Sequence, residues 1–184
     1  MGEPHRLQTQ HFKTSITMSY SLNSIVLIIT VVLTGLSAGL CFTWGNAITP
    51  GIAKLSNLQY LSAFQAMNRS IINPTFIVVF FGPIIIQIWS AIQASGQSNQ
   101  QFWLIAVAAA IYFVGLILVT IFGNVPLNEL LEATQLDTAS TNQLKTLRTQ
   151  FEARWNLYHT IRTLSTLIAF ILLTIGLLIQ GKSI

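Results

Sequence analysis

Charge is what this sequence has least of. Asp, Glu, Lys and Arg make up 8% of its 184 residues, against roughly 25% in a soluble domain. None falls between Arg69 and Glu129. Most of such a chain cannot face water, and the uncharged stretch can hold two membrane spans and a turn, since one span needs about 20 apolar residues. Cysteine is nearly absent. Cys41 is alone, which excludes an intrachain disulfide framework and a CxxC redox pair. Leu40 stands before it where a lipoprotein cysteine needs a small residue. None of the three histidines lies inside an expected span, so the paired ligands of a di-haem carrier are missing. The net charge of +4 is small and its basic residues are dispersed, which speaks against a nucleic-acid partner.

What is present is apolar sequence, 52% of the chain, in runs without period-two alternation. A membrane barrel is thereby ruled out, and helices that pair their own backbone groups remain. The expected fold is all-α, an integral membrane four-helix bundle with amphipathic helical segments on one side. Residues 1–22 form a polar extension, and Met18 is an alternative start. Residues 23–181 form a single domain with spans at about 24–43, 74–92, 102–122 and 164–179. The first is too long for the apolar core of a signal peptide. Pro50 and Gly51 are expected to stop it, and Gly123 and Pro126 to stop the third. Between the first two spans, residues 56–72 read as an amphipathic helix opened by a capping box of Ser56 and Gln59. Ser140 and Gln143 make a second box, from which a helical pattern runs into the fourth span. The short turn 93–101 makes the second and third spans antiparallel neighbours. Gly35 and Gly39 form a GxxxG pattern that suits packing within the chain; a homodimer seam there is possible but not favoured.

The topology sorts the polar residues. Let side A hold the N-terminus and the 93–101 turn. Side B then receives Trp44 and Pro50 from the first span and Asn68, Arg69 and Asn73 before the second. It also receives Asn124, Asn128 and Glu129 after the third, and Arg154, Trp155, Asn156, His159 and Arg162 before the fourth. Four separate stretches meet at one end of a bundle, where a concave ligand site is the default expectation. Each element alone has a plainer use. Tryptophans near span ends form interfacial belts, Arg69 and Arg162 can snorkel to headgroups, and Gly123 with Pro126 can simply end a helix. Against this, Trp155, His159 and Arg162 recur at i, i+4 and i+7 on one helical face. Gln65, Asn68 and Arg69 are similarly spaced, and five asparagines beside a membrane need hydrogen-bond partners.

These residues resemble those of the anthrone-oxygenase-like membrane proteins, a family largely labelled a domain of unknown function. The resemblance runs from Gly35-Leu36-Ser37-Ala38-Gly39 with Phe42, Trp44 and Pro50, through Asn68-Arg69 and Asn73-Pro74. It continues with Gly123-Asn124-Val125-Pro126-Leu127-Asn128 and ends at Arg154-Trp155-Asn156, His159 and Arg162. It implies a cofactor-free oxygenase acting on a hydrophobic, anthrone-like or polyphenolic substrate. Such chemistry needs a base, donors for an oxyanion and a flat apolar pocket. His159 would be the base, with Arg69 or Arg162 holding the oxyanion, so the implied catalytic set is His159, Arg162, Asn68 and Arg69. Trp44, Asn73, Asn124, Asn128, Trp155 and Asn156 would bind substrate, with no metal and no cofactor. The same inventory suits a non-catalytic protein that binds a quinone or a lipid headgroup.

Other classes lack their residues. A metal site built from His159 with Glu129 or Glu152 is too thin, and a transporter would want ionisable groups near the midplane. Side A carries Arg6, Lys13 and Lys182, whereas side B carries Lys54, Arg69, Lys145, Arg148, Arg154 and Arg162. The positive-inside rule then places side B, with loops 44–73 and 123–163, in the cytoplasm.

Overall fold

The computed structural model describes residues 22–182. The polar extension therefore lies outside the described residues, apart from Leu22, which opens the first helix. Five helices follow in order: α1 (Leu22–Ile52), α2 (Asn57–Ile71), α3 (Pro74–Ser95), α4 (Asn99–Glu132) and α5 (Thr141–Lys182). No strand occurs among the described residues. α1, α3, α4 and α5 are each long and apolar enough to cross a membrane, and the protein is a multi-pass membrane bundle. α2 is the amphipathic helix that stays at side B.

The start signals act as the sequence suggests. Ser56 Oγ accepts from Gln59 N–H, and Gln59 Oε1 accepts from Ser56 N–H. Ser140 and Gln143 repeat this arrangement at the head of α5. The stop signals do not. α1 continues past Pro50 to Ile52, and α4 continues past Gly123 and Pro126 to Glu132. Each proline sits at the first or second position of a new α-helical segment, just after a π-helical turn. At that position the missing N–H costs nothing, and the wider π turn before it makes room for the ring. Gly123 serves close packing instead. A Cβ there would lie 2.9 Å from the Tyr158 ring, so the glycine lets α4 lie close on α5. Gly115 plays the same part against Ser165. The helix that follows Ser140 runs on into the fourth span as expected, and that span is the apolar half of α5, whose 42 residues extend about 63 Å at 1.5 Å per residue.

Around the bundle the order is α1, α3, α4, α5, each packing on the next and α5 closing back on α1. The second and third spans are antiparallel neighbours, as the short turn requires. The second and fourth are diagonal. Buried hydroxyls and amides join the helices inside: Thr30 with Ser90 at 3.1 Å, Gln87 with Thr34 at 3.0 Å, and Tyr112 with Ser37 at 2.9 Å. The Tyr112 hydroxyl also lies 2.8 Å from the Phe80 carbonyl. With no water in the bilayer core, such groups must find partners within the protein. Gly35 meets Phe170 of its own chain, while Gly39 faces open space.

α2 folds back over the side B end and seals it with a second core. Tyr60, Leu61 and Phe64 are fully buried against Leu131, Phe151 and Trp155. Gln65 Nε2 donates to the carbonyls of Leu131 and Thr134 at the end of α4. Arg148 of α5 fixes the other end of α2. Its guanidinium donates to the carbonyls of Ala53 and Leu55, in the turn that leads into α2, and to Glu152 at 2.7 Å, and it lies 4.3 Å from the Tyr60 ring centroid. Burial, reinforced by Glu152, holds the Tyr60 phenol above its usual pKa, with Arg148 opposing. Arg148→Ala should therefore cost roughly 1.5–3 kcal/mol, the range for losing hydrogen bonds that involve a charged group. A thermal melt in detergent, compared with Arg154→Ala on the exposed side of the same helix, measures it.

Candidate functional site

Five segments meet around one cavity of about 590 Å³ at the side B end of the bundle. α3 supplies an apolar wall of Phe76, Ile77, Phe80 and Phe81. Leu40, Cys41 and Trp44 come from α1, and Asn68, Arg69 and Ile71 from α2. α4 gives Thr120, Val125, Asn128, Glu129 and Glu132, and α5 gives Trp155, His159 and Arg162. π-helical turns lie at Trp44–Ile48 and Thr120–Asn124, at the edges of this space. The extra residue in such a turn re-aims the side chains beyond it, and π turns recur at functional sites.

The polar wall is a chain of buried groups on one face of α5. His159 is 4% exposed, with Nε2 2.9 Å from the Cys41 carbonyl and Nδ1 2.9 Å from Arg162 Nη2. A carbonyl only accepts and a guanidinium only donates. Nε2 therefore carries the hydrogen and Nδ1 the lone pair, so the tautomer is set by its two neighbours. Trp155 stacks on the imidazole with ring centroids 4.9 Å apart and planes 12° from parallel, and its indole N–H donates to Asn128 Oδ1 at 2.9 Å. Arg162 does not reach for the headgroups. It is buried, its Cζ lies 5.2 Å from the Trp155 ring centroid, and Nη1 donates to Thr120 Oγ1 at 3.4 Å. Among the described residues no carboxylate lies within ion-pair distance of it.

Some polar atoms here are buried without a partner: Arg162 Nε and Asn68 Nδ2, both donors, on residues that line the cavity. Buried polar groups are nearly always hydrogen-bonded, and these two suit a ligand that brings acceptor oxygens.

The structure brings together seven of the residues singled out from sequence: His159, Arg162, Asn68, Arg69, Trp44, Asn128 and Trp155. Asn68 and Arg69 arrive by way of α2, which packs over α5, and not by contact between spans two and four. Arg69 is exposed at the rim and bound to Glu132 at 2.7 Å, away from the His159 chain. Asn73 does not line the cavity. It caps α3, accepting from Phe76 N–H and donating to the Ser70 carbonyl. Asn124 stands behind the wall, donating to the Trp155 carbonyl at 3.3 Å, and Asn156 is not among the lining residues. His159, expected just outside the fourth span, lies level with Cys41 inside the first, so a histidine does enter the bundle. Sequence reasoning missed the Cys41 carbonyl, Thr120, Glu132 and the phenylalanine wall, and it placed Glu129 at this end of the bundle without giving it a role. Only the i, i+4 and i, i+5 spacing of Phe76, Phe80 and Phe81 gave a signal, and it is the signal of any apolar helix.

The sequence model of the anthrone oxygenase family matches residues 38–172, a stretch that contains every residue lining this cavity. The chain belongs to the anthrone oxygenase family. No curated protein and no solved structure matches it. In this anthrone oxygenase family member, no three His, Cys, Asp or Glu side chains among the described residues cluster as metal ligands would. Asn128→Leu should strand the Trp155 indole N–H and loosen its stack on His159, at about 1–3 kcal/mol for an unpaired buried donor. Near-ultraviolet circular dichroism and a thermal melt report the two effects.

Proposed function

We propose that this protein is a cofactor-independent oxygenase acting on an anthrone-like or polyphenolic aromatic substrate in the side B cavity. The observation that carries the reading is the pair His159–Arg162. A lone pair on Nδ1 and a guanidinium with no carboxylate partner among the described residues sit 2.9 Å apart, beside an apolar space sized for a flat polycyclic molecule. Family membership supports the same reaction class.

The chemistry follows from those two groups. A substrate oxygen takes the Arg162 hydrogen bond, which frees Nδ1 to remove a proton from the methylene of the central ring. The Cys41 carbonyl, already accepting from Nε2–H, stabilises the imidazolium formed, while Arg162 holds the enolate oxygen. The enolate carbon reduces dioxygen and forms a carbon–oxygen bond to it, and the imidazolium returns its proton to the resulting peroxide. Loss of the second C–H proton to Nδ1 breaks the O–O bond. The ketone forms, and hydroxide leaves as water with the proton that Nδ1 gives back. The methylene and one O₂ become a carbonyl and one water.

A second reading has one observation in its favour: both imidazole nitrogens are already satisfied without ligand. A protein that only binds a quinone or a related amphipathic molecule would need no proton transfer from them. Turnover separates the readings. His159→Ala and His159→Gln should each lower kcat for an anthrone by 10²–10⁴, on the order of a general base's contribution. Binding of the anthraquinone product should change by only a few-fold. Equal loss of binding and turnover, or no loss at all, would refute the base.

Orientation belongs to the proposal as well, with side B cytoplasmic from the lysine and arginine excess. A cysteine placed at Gln97, in the side A turn, should then react with an impermeant maleimide in intact cells. Protection until the membrane is opened would reverse the topology.

A further inference from the structure

We infer that the ligand reaches this cavity sideways from the bilayer, through an apolar slit between α3 and α4. This rests on the reading of the cavity as the ligand site. α3 packs along α1 and on the first half of α4, but it makes no comparable contact with the π turns or the last helical segment of α4. The cavity lies in that gap, since both edges line it.

The two ends of the slit differ in chemistry. Toward the aqueous end of side B, Arg69 of α2 and Glu132 of α4 are joined at 2.7 Å, a charged strap across the opening. Deeper, the edges are Ile77 on α3 and Val125 on α4. Both are cavity-lining yet exposed on the outer surface, at 48% and 37%. Each continues outward into apolar surface of the kind that faces lipid: Val78 next to Ile77, and Phe122 one turn from Val125. A flat, water-insoluble aromatic concentrates in the bilayer and meets an apolar edge there. By the aqueous route it would have to pass the ion pair. Pro83 inside α3 removes one helical hydrogen bond just beyond the Phe76–Phe81 wall, which leaves that wall joined to the rest of α3 at a weakened turn.

The test uses the full chain in liposomes and 1-hydroxyanthraquinone as probe, with binding followed by stopped-flow quenching of tryptophan fluorescence. Val125→Phe and Ile77→Phe should slow association and dissociation together by about tenfold, with Kd within about threefold, because a blocked door changes rates and not the bound state. Val125→Ala and Ile77→Ala should speed both rates, which keeps the test open if a bulky variant fails to fold. Unchanged rates in all four variants, with Kd intact, would overturn the portal and leave the site reading standing. A change in Kd without a matched change in both rates would make these residues part of the binding surface and also overturn the portal. Absence of binding by the unmodified protein would remove the site reading and the portal with it.

Discussion

A guanidinium buried at the membrane end of a helical bundle, with no carboxylate among the described residues to neutralise it, is the constraint on which this site is built. Burying an unpaired charge is costly, and the fold surrounds Arg162 with what neutral chemistry offers: the Nδ1 lone pair of His159, the Thr120 hydroxyl and the face of Trp155. None of these cancels the charge. In the proposed mechanism a ligand that becomes anionic on binding does, and the same bond that stabilises it would release the histidine to act as base. That mechanism couples binding and deprotonation through one hydrogen bond, between Arg162 and His159.

The rest of the structure serves to hold that arrangement in place. The Cys41 carbonyl can reach His159 because α1 runs at the depth of α5, and the π turn just beyond it carries Trp44 at the cavity edge. α2 closes the end that would otherwise admit water, and it is itself pinned at both ends, by Arg148 to α5 and by Gln65 to the end of α4. The polar pairs deeper in the bundle do not touch the cavity, apart from the Tyr112 bond to the Phe80 carbonyl. They fix the register of α1 against α3 and α4, on which the alignment of Cys41 with His159 depends.

Much of this was legible in the residues. The charge gap gave the spans, and counting spans brought the asparagines, tryptophans and arginines to one end. The i, i+4, i+7 spacing put Trp155, His159 and Arg162 on one face. What was not legible has physical reasons. A backbone carbonyl such as that of Cys41 has no sequence signature. Pro50, Gly123 and Pro126 read as stops because the π turns that let the helix pass them depend on packing, not on local propensity. Asn73 was counted with the site although an Asn-Pro pair at a span start is sufficiently explained as a cap. The diagonal placement of spans two and four is a tertiary choice that loop lengths leave open.

The central claim is that Arg162 and His159 together ionise a bound phenol or enol. The direct measurement is the absorbance spectrum of a hydroxyanthraquinone bound to the purified protein, at a pH where the free ligand is neutral. The bound ligand should show the red-shifted phenolate spectrum, retained in Arg162→Lys to a lesser degree and lost in Arg162→Gln. A bound ligand that keeps its neutral spectrum would contradict the claim.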